Sequence, residues 1–552
     1  MTVTPEALAA AKKWRSQDPD PDTKAELAAL LERAEAGDQA AGAELNDSFS
    51  GMLEFGTAGL RGKLGPGPNR MNRLMVAYAA AGVGSYLKQL ALFGNVLIGY
   101  DARHKSADFA RESAEIIGGL GFHSMLTSEP MPTPVIAFGI KHLDCNAGIV
   151  VTASHNPPAD NGYKVYLGDG VQIVAPHDER IAAGLLRTSK KPLFMLHRST
   201  DHHMIGEELV EAYLERVARL VGNAGPRNLS WVHTALHGVG AKVVRQVADR
   251  LGFAPPLEVA AQAEPDPDFP TVAFPNPEEP GALDLAMALA QERGADLIVA
   301  NDPDADRCAV AIPDGLGDWR MLHGNELGIL LGDYLARRGV TGVYATTIVS
   351  GTMLAKIAAA HGQRSALTLT GFKWIARVPE LAYGYEEALG YCCDPEGVSD
   401  KDGISAAALV LAMAAEEKAA GRTLADRLDQ LALEHGVHLS DQLSVRVEDL
   451  TVIATAMARL RAEPPAELCG EPIAVVDYAE GVDGLPLTDA IQLRGETVTA
   501  TVRPSGTEPK LKCYFETRVA PEVTARDLAG SKSEAAGLMV RLKEDVQAAL
   551  GL

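Results

Sequence analysis

The sequence predicts an α/β protein of several domains, with a smaller α+β domain at its C-terminal end. Three observations carry that expectation. Short apolar runs alternate with helix-periodic segments from about residue 95, the pattern changes to alternating strands after about residue 440, and 552 residues are too many for one hydrophobic core. A hydrophobic content of 47% fits a globular chain rather than a disordered one.

In chain order, residues 4 to 45 read as two helices, starting near Thr4-Pro5 and Asp22-Thr23, with "AELAALLERAEAG" ending on a glycine stop. The run "NVLIGYD" reads as a strand before the helical "SADFARESAEIIGGLG", and "AGIVVTA" as another. A second group runs from "LSWVHTALHG" through "VGAKVVRQVADRLG" to "ADLIVAND". A third joins "GVYATTIVSG" and "TMLAKIAAAHG" to "LAYGYEEALGY". Such alternation predicts mostly parallel sheets. Each group ends a strand in a polar loop, a hint of internal repetition. Beyond residue 440, "HLSDQLSVRVED", "PIAVVDYAEG", "AIQLRGETVTATVRPSG" and "KLKCYFETRV" read as strands, followed by a helix from about residue 530. The Pro-rich stretches at 264–281 and 462–467 read as loops.

A formal net charge of -22 argues against nucleic acid or an anionic membrane as partner, because both recruit cationic patches. A few focused Arg and Lys can still hold a small anion. The six cysteines show no CxxC and no disulfide-like spacing, which predicts a reducing cytoplasm. The opening stretch lacks a signal-peptide core, and "ISAAALVLAMAA" is too short to span a bilayer.

Four loops concentrate reactive groups. Ser154 follows "GIVVTA", at a strand's carboxyl end where α/β domains collect ligands; a plain turn serine would sit there too. No GxSxG elbow surrounds it, which disfavours a serine hydrolase. In "LIVANDPDADRCAV", Asp302, Asp304 and Asp306 alternate, so a curled loop delivers three carboxylates to one hard cation, with Arg307 beside it. An EF-hand fails, since Arg307 and Pro313 stand where Gly and Glu are required. A haloacid-dehalogenase-type DxD reading stays open, although Asp306 replaces the usual Thr or Val. Glu386 and Glu387 either accept hydrogen bonds from sugar hydroxyls or open a helix. In "TVRPSGTEPKLK", Arg503, Ser505, Gly506, Thr507 and Lys510 have the composition of an anion nest, without a Walker A pattern.

Together with "EFGTAGLRGKLGPGPNRMN", the segments "TASHNP", "DPDADR", "GYEEALGY" and "RPSGTEPK" resemble the α-D-phosphohexomutase superfamily, in order and over nearly the whole chain. "GYEEALGY" and "TGFKWI" look most like the branch that includes phosphopentomutase-type enzymes. The resemblance implies three similar α/β domains and a C-terminal domain resembling TATA-binding protein around a central cleft. The expected boundaries are 1–220, 221–325, 326–440 and 441–552. It implies that Ser154 is the phosphoserine and completes the Mg²⁺ site of Asp302, Asp304 and Asp306, one ion per subunit. Arg61 and Lys164 would flank the phosphoserine and His155 line the cleft. Arg307, Lys373, Glu386 and Glu387 would contact substrate, and Arg503, Ser505, Gly506, Thr507 and Lys510 would hold its distal phosphate. The implied activity interconverts sugar 1- and 6-phosphates of glucose or mannose through a sugar 1,6-bisphosphate. The alternative is a phosphopentomutase acting on ribose or deoxyribose 1- and 5-phosphates. Small sugar phosphates are the expected partners of a cytoplasmic monomer or homodimer. One departure bears on selectivity: Ala388 stands where many hexose mutases carry a serine, so one hydroxyl contact to the sugar is missing.

Overall fold

In the first half of the chain, the apolar runs read as strands pair in parallel, and a further strand returns antiparallel to the last of each group. The computed structural model describes residues 2–56, 59–315, 317–447, 449–482, 484–505, 510–519 and 525–551. The chain divides into two compact units, Met1–Asp318 with Asp394–Leu409, and Trp319–Cys393 with Val410–Leu552.

In the first unit, strands β1 (Leu60–Lys63), β2 (Asn95–Tyr100), β3 (His123–Thr127), β4 (Cys145–Val151), β5 (Asp160–Leu167) and β6 (His203–Ile205) form one sheet in the order β1-β5-β4-β2-β3-β6. β4, β2, β3 and β6 run parallel, whereas β5 pairs antiparallel with β4 and β1 antiparallel with β5. Helix Arg73–Gln89 is buried along nearly its whole surface against this sheet, and Asn72 caps its start by accepting the Met75 amide at 3.0 Å. The second sheet contains β7 (Trp231–Thr234), β8 (Leu257–Glu258), β9 (Leu297–Ala300) and β10 (Ala309–Pro313); β8, β7 and β9 are parallel and β10 returns antiparallel to β9.

In the second unit, after β11 (Trp319–Met321), strands β12 (Val343–Thr347), β13 (Arg364–Thr368), β14 (Leu381–Glu386) and β15 (Gly390–Cys392) pair in the order β13-β12-β14-β15, the last pair antiparallel. β16 (Val437–Arg446), β19 (Ala474–Asp477), β20 (Ile491–Arg494), β21 (Val498–Pro504) and β22 (Lys510–Val519) form an antiparallel sheet, with β17 (Glu467–Leu468) and β18 (Glu471–Pro472) a separate small pair. Helices Leu450–Ala462 and Leu528–Leu550 supply side chains to the core of that sheet. The apolar run expected to be too short for a membrane span lies in helix Gly403–Ala419, most of which is buried. Among the described residues no helix is long and apolar enough to cross a membrane, and all six cysteines are free thiols.

One expectation changes. The N-terminal segment holds three helices, Pro5–Gln17, Pro21–Glu35 and Gln39–Ser48, not two. Asp20 caps the second, so it starts before Asp22-Thr23, and Asp38 restarts the chain just after the glycine stop at Gly37. The three α/β sheets are mostly parallel, as alternation predicts, but β5, β10 and β15 each close an antiparallel hairpin on the preceding strand. That repeated hairpin puts the Ser154 loop between β4 and β5, the aspartate loop between β9 and β10, and the Glu386-Glu387 turn between β14 and β15. Three of the four expected loops share one topological position.

In the second unit, buried Glu516 ties β22 to the loop after β12. It accepts the Thr352 amide at 2.7 Å, faces His438 Nδ1 at 3.0 Å and accepts Arg518 Nη1 at 2.8 Å. Burial pushes its pKa up, but His438, the Thr352 amide and Arg518 outweigh that and hold it below the ordinary 4.5. A carboxylate with a depressed folded pKa contributes stability above its unfolded pKa and loses it as pH falls toward the folded value. The thermal midpoint should therefore fall more steeply below about pH 4.5 in the native protein than in Glu516→Gln. Parallel acid limbs in thermal unfolding would contradict this assignment.

Candidate active site

The Ser154 loop is sharply bent. Ser154 adopts φ +52°, in the left-handed region, and is buried. Its amide donates to Thr152 Oγ1 at 2.8 Å, and Asn156 N donates to Ala153 O at 3.1 Å, which closes the turn. The bend aims Ser154 Oγ at Asp302, to whose Oδ2 it donates at 2.8 Å, and brings His155 Nδ1 to 3.0 Å from Ser154 Oγ. Arg61 on β1 donates to Asn156 Oδ1 at 3.2 Å. That strand lies close to β5 because Gly59, at φ +83°, sits where a Cβ would fall 1.8 Å from Tyr163 O; only glycine fits.

The aspartate loop curls as its spacing predicts. Ala305 N donates to Asp302 O at 2.8 Å, Arg307 N to Asp302 Oδ1 at 3.0 Å, and Asn301 Nδ2 to Arg307 O at 2.7 Å. Asp302, Asp304 and Asp306 are all buried and each can offer one oxygen, the three lying within 4.8 Å of one another. Lys164, which pairs with Val150 across the hairpin, donates to Asp304 Oδ2 at 2.8 Å and Asp306 Oδ2 at 2.7 Å. Arg307 Nε lies 4.0 Å from Asp302 Oδ2 and Nη1 lies 3.9 Å from Glu278.

Burial, followed by the charges of Asp304 and Asp306, pushes Asp302 well above the usual carboxylate range. Burial also works against Asp306, yet Lys164, Lys401 and Arg307 hold its carboxyl far below that range. Burial, reinforced by Arg307 and Arg61, pushes the His155 imidazole well below 6.5, so it is neutral at pH 7. The Oδ1 atoms of Asp304 and Asp306 are buried without a hydrogen-bond partner, which fits coordination of a hard divalent cation.

The second unit holds the other expected residues. Glu386 and Glu387 sit at a hairpin turn, so the reading in which they open a helix falls away. Glu387 Oε2 accepts Ser350 Oγ at 3.0 Å and Thr347 Oγ1 at 3.2 Å, which fixes the turn to the end of β12. Lys373 lies on the one-turn helix Phe372–Ile375, and its carbonyl accepts Arg377 Nη1 at 2.7 Å. Arg503 on β21 pairs in register with Lys512, and Ser505 N donates to Lys510 O at 2.8 Å at the base of the β21–β22 loop. Gly506 and Thr507 lie outside the described residues.

Sequence reasoning missed several neighbours. Lys401 Nζ lies 3.3 Å from Asp306 Oδ2, on a loop held close because Gly403 leaves room where a Cβ would fall 2.1 Å from Arg307 O. Thr133 donates its hydroxyl to Asp304 Oδ2 at 2.7 Å and its amide to Asp304 O at 2.9 Å. Arg103 donates to the carbonyl of Ser154 at 2.7 Å. Its position just past β2, another carboxyl end in the same sheet, was the available signal.

The family descriptions for phosphoglucomutase/phosphomannomutase α/β/α domain I, domain II, domain III and C-terminal domain match residues 52–191, 211–315, 323–433 and 444–529. A Haemophilus influenzae protein named "Probable phosphomannomutase" is 45% identical over 454 residues, covering 81% of this chain and 93% of its own. The human phosphopentomutase is 36% identical over 528 residues, covering 86% of each chain. The crystal structure of a Paramecium phosphoglucomutase, parafusin, in its open form shares the fold with a TM-score of 0.70 at 17% identity, covering 92% of this chain and 97% of that one.

Proposed function

The chain belongs to the phosphoglucomutase/phosphomannomutase family of phosphosugar mutases, and from that premise we propose that it interconverts the 1- and 6-phosphates of glucose or mannose through a phosphoserine at Ser154. The observation that carries this reading is Ser154 Oγ at 2.8 Å from Asp302, within the buried group of three aspartates. Asp302, Asp304 and Asp306, with an oxygen of phosphorylated Ser154, would hold one Mg²⁺. When bound, Mg²⁺ supplies positive charge against the phosphoryl oxygens as negative charge develops in transfer.

The chain's own residues do the rest. Ser154 gives its phosphoryl group to the free hydroxyl of a sugar monophosphate, the bisphosphate turns end for end, and its other phosphoryl group returns to the serine oxygen. The proton of the attacking hydroxyl passes to His155, the neutral base of the site, while Lys164, held as an ammonium between Asp304 and Asp306, is the acid that can protonate the departing oxygen. Arg61 and Arg307 add fixed positive charge. Glu386 accepts hydrogen bonds from the sugar hydroxyls, Glu387 braces that turn, and Lys373 contacts substrate. Arg503, Ser505, Gly506, Thr507 and Lys510 grip the phosphate that is not reacting, which lets one protein act on both ends of the intermediate. The sugar 1,6-bisphosphate then doubles as activator, because it rephosphorylates Ser154 after an intermediate escapes. We assign the four domains to 1–220, 221–325, 326–440 and 441–552.

A pentose reading has its own support. Ala388 removes a hydroxyl contact to the sugar, and the human phosphopentomutase is a relative at 36% identity. Comparison of kcat/KM for the 1-phosphates of glucose, mannose, ribose and deoxyribose decides. The hexose reading expects glucose or mannose to lead by roughly tenfold, about 1.4 kcal/mol of transition-state binding; a lead for the pentoses would replace it.

A further inference from the structure

One buried guanidinium gathers the carbonyls of the Ser154 loop. Arg103 Nη2 donates to Ser154 O at 2.7 Å and also to Asn156 O, while Nη1 donates to Pro157 O at 2.9 Å and Asp160 O at 3.3 Å. These four carbonyls run from Ser154 to the first residue of β5, over most of the connection from β4. Beneath it, Asp101 Oδ1 accepts the Arg103 amide at 3.0 Å and Ser106 Oγ at 2.7 Å, with Oδ2 at 3.5 Å from Arg103 Nε. Above it lies Phe269, whose ring centroid is 4.8 Å from the guanidinium carbon. Phe269 is buried at φ +46°, in the Pro-rich stretch 264–281 that the mechanism otherwise leaves without a role.

We propose that Arg103, backed by Asp101 and stacked under Phe269, is the positioning residue that holds the Ser154 loop in the bent conformation required for phosphoryl transfer. The proposal rests on the reading of Ser154 as the phosphoryl carrier. A planar fork with five N–H donors can satisfy four inward-facing carbonyls at once; a lysine ammonium has three donors on one point and cannot span them. Without the fork, the four carbonyls, that of Ser154 buried and the others partly so, lose their partners and the loop relaxes toward other conformations. Ser154 Oγ then loses its aim at Asp302, and a displacement of about 1 Å costs on the order of 100-fold in rate. Substrate contacts made by other residues are untouched, so the loss falls on kcat rather than KM.

The test uses full-length protein with Mg²⁺, as wild type, Arg103→Lys, Arg103→Ala and Phe269→Leu. Two rates are read: steady-state turnover of glucose 1-phosphate, and phosphorylation of dephosphorylated Ser154 by glucose 1,6-bisphosphate, followed by intact mass. Arg103→Lys should lose on the order of 100-fold in both the phosphorylation rate and kcat, with KM changed less than about threefold. Free guanidinium, well below denaturing concentration, should restore part of the rate to Arg103→Ala. Phe269→Leu, which keeps an apolar side chain away from the reacting atoms, should show a smaller loss of the same kind and covers the case in which Arg103→Ala fails to fold. Wild-type rates in a folded Arg103→Lys protein, or losses that only track the unfolded fraction with no guanidinium rescue, would overturn the assignment. A wild-type protein that takes no phosphoryl group onto Ser154 would instead defeat the phosphoserine reading itself.

Discussion

Ser154→Ala should abolish isomerisation, by roughly 10⁴-fold or more, while leaving the protein folded. The substitution removes the only atom proposed to carry the phosphoryl group. Thr133 Oγ1, which also reaches this group, is already committed to Asp304 at 2.7 Å, and Tyr166 OH to Asp400 at 2.9 Å. The structural cost is small. The hydrogen bonds to Asp302 and His155 are lost, each worth about 1 kcal/mol, and the left-handed backbone at φ +52° is no more strained with alanine than with serine. A coupled assay for the isomerised sugar phosphate, read beside a thermal melt, checks both halves. Activity within tenfold of wild type would remove Ser154 from the mechanism.

The second large effect is expected at Lys164. Its ammonium is buried between Asp304 and Asp306, at 2.8 and 2.7 Å, and although burial lowers its pKa, those two carboxylates more than reverse the effect and raise it. Lys164→Met removes a partner from a buried ion cluster and should destabilise the first unit by about 3–5 kcal/mol in the presence of a chelator. Lys401, 3.3 Å from Asp306, compensates only in part. A divalent cation supplies the missing charge, so Mg²⁺ should raise the thermal midpoint of Lys164→Met more than that of wild type. Equal Mg²⁺ shifts in both proteins would mean that the three aspartates do not form the ion site.

The chemistry was readable in the sequence where a single short segment carries it. Asp302, Asp304 and Asp306 lie within one loop, so their spacing alone predicts a shared cation. Ser154 is flanked by a recognisable strand end. What joins them was not readable from either segment alone: Ser154 and Asp302 are 148 residues apart, and Thr133 and Asp304 are 171 apart. Arg103 and Lys401 reach the site only through sheet order and a close approach at Gly403, neither of which leaves a periodic trace. The antiparallel returns β5 and β10 escaped notice for a related reason. Their residues are buried on both faces, and a continuous apolar run says nothing about strand direction. The third N-terminal helix was hidden because Gly37 reads as a stop, while Asp38 restarts the helix at once.

The central claim is that one serine oxygen stores a phosphoryl group and passes it between the two ends of a sugar. It is tested most directly by charging the protein with a labelled phosphoryl group from glucose 1,6-bisphosphate and mixing it with excess unlabelled glucose 1-phosphate in a single turnover. Label should appear first on Ser154, then in sugar bisphosphate and 6-phosphate, with almost none as inorganic phosphate. Label released as inorganic phosphate, or never found on Ser154, would contradict it.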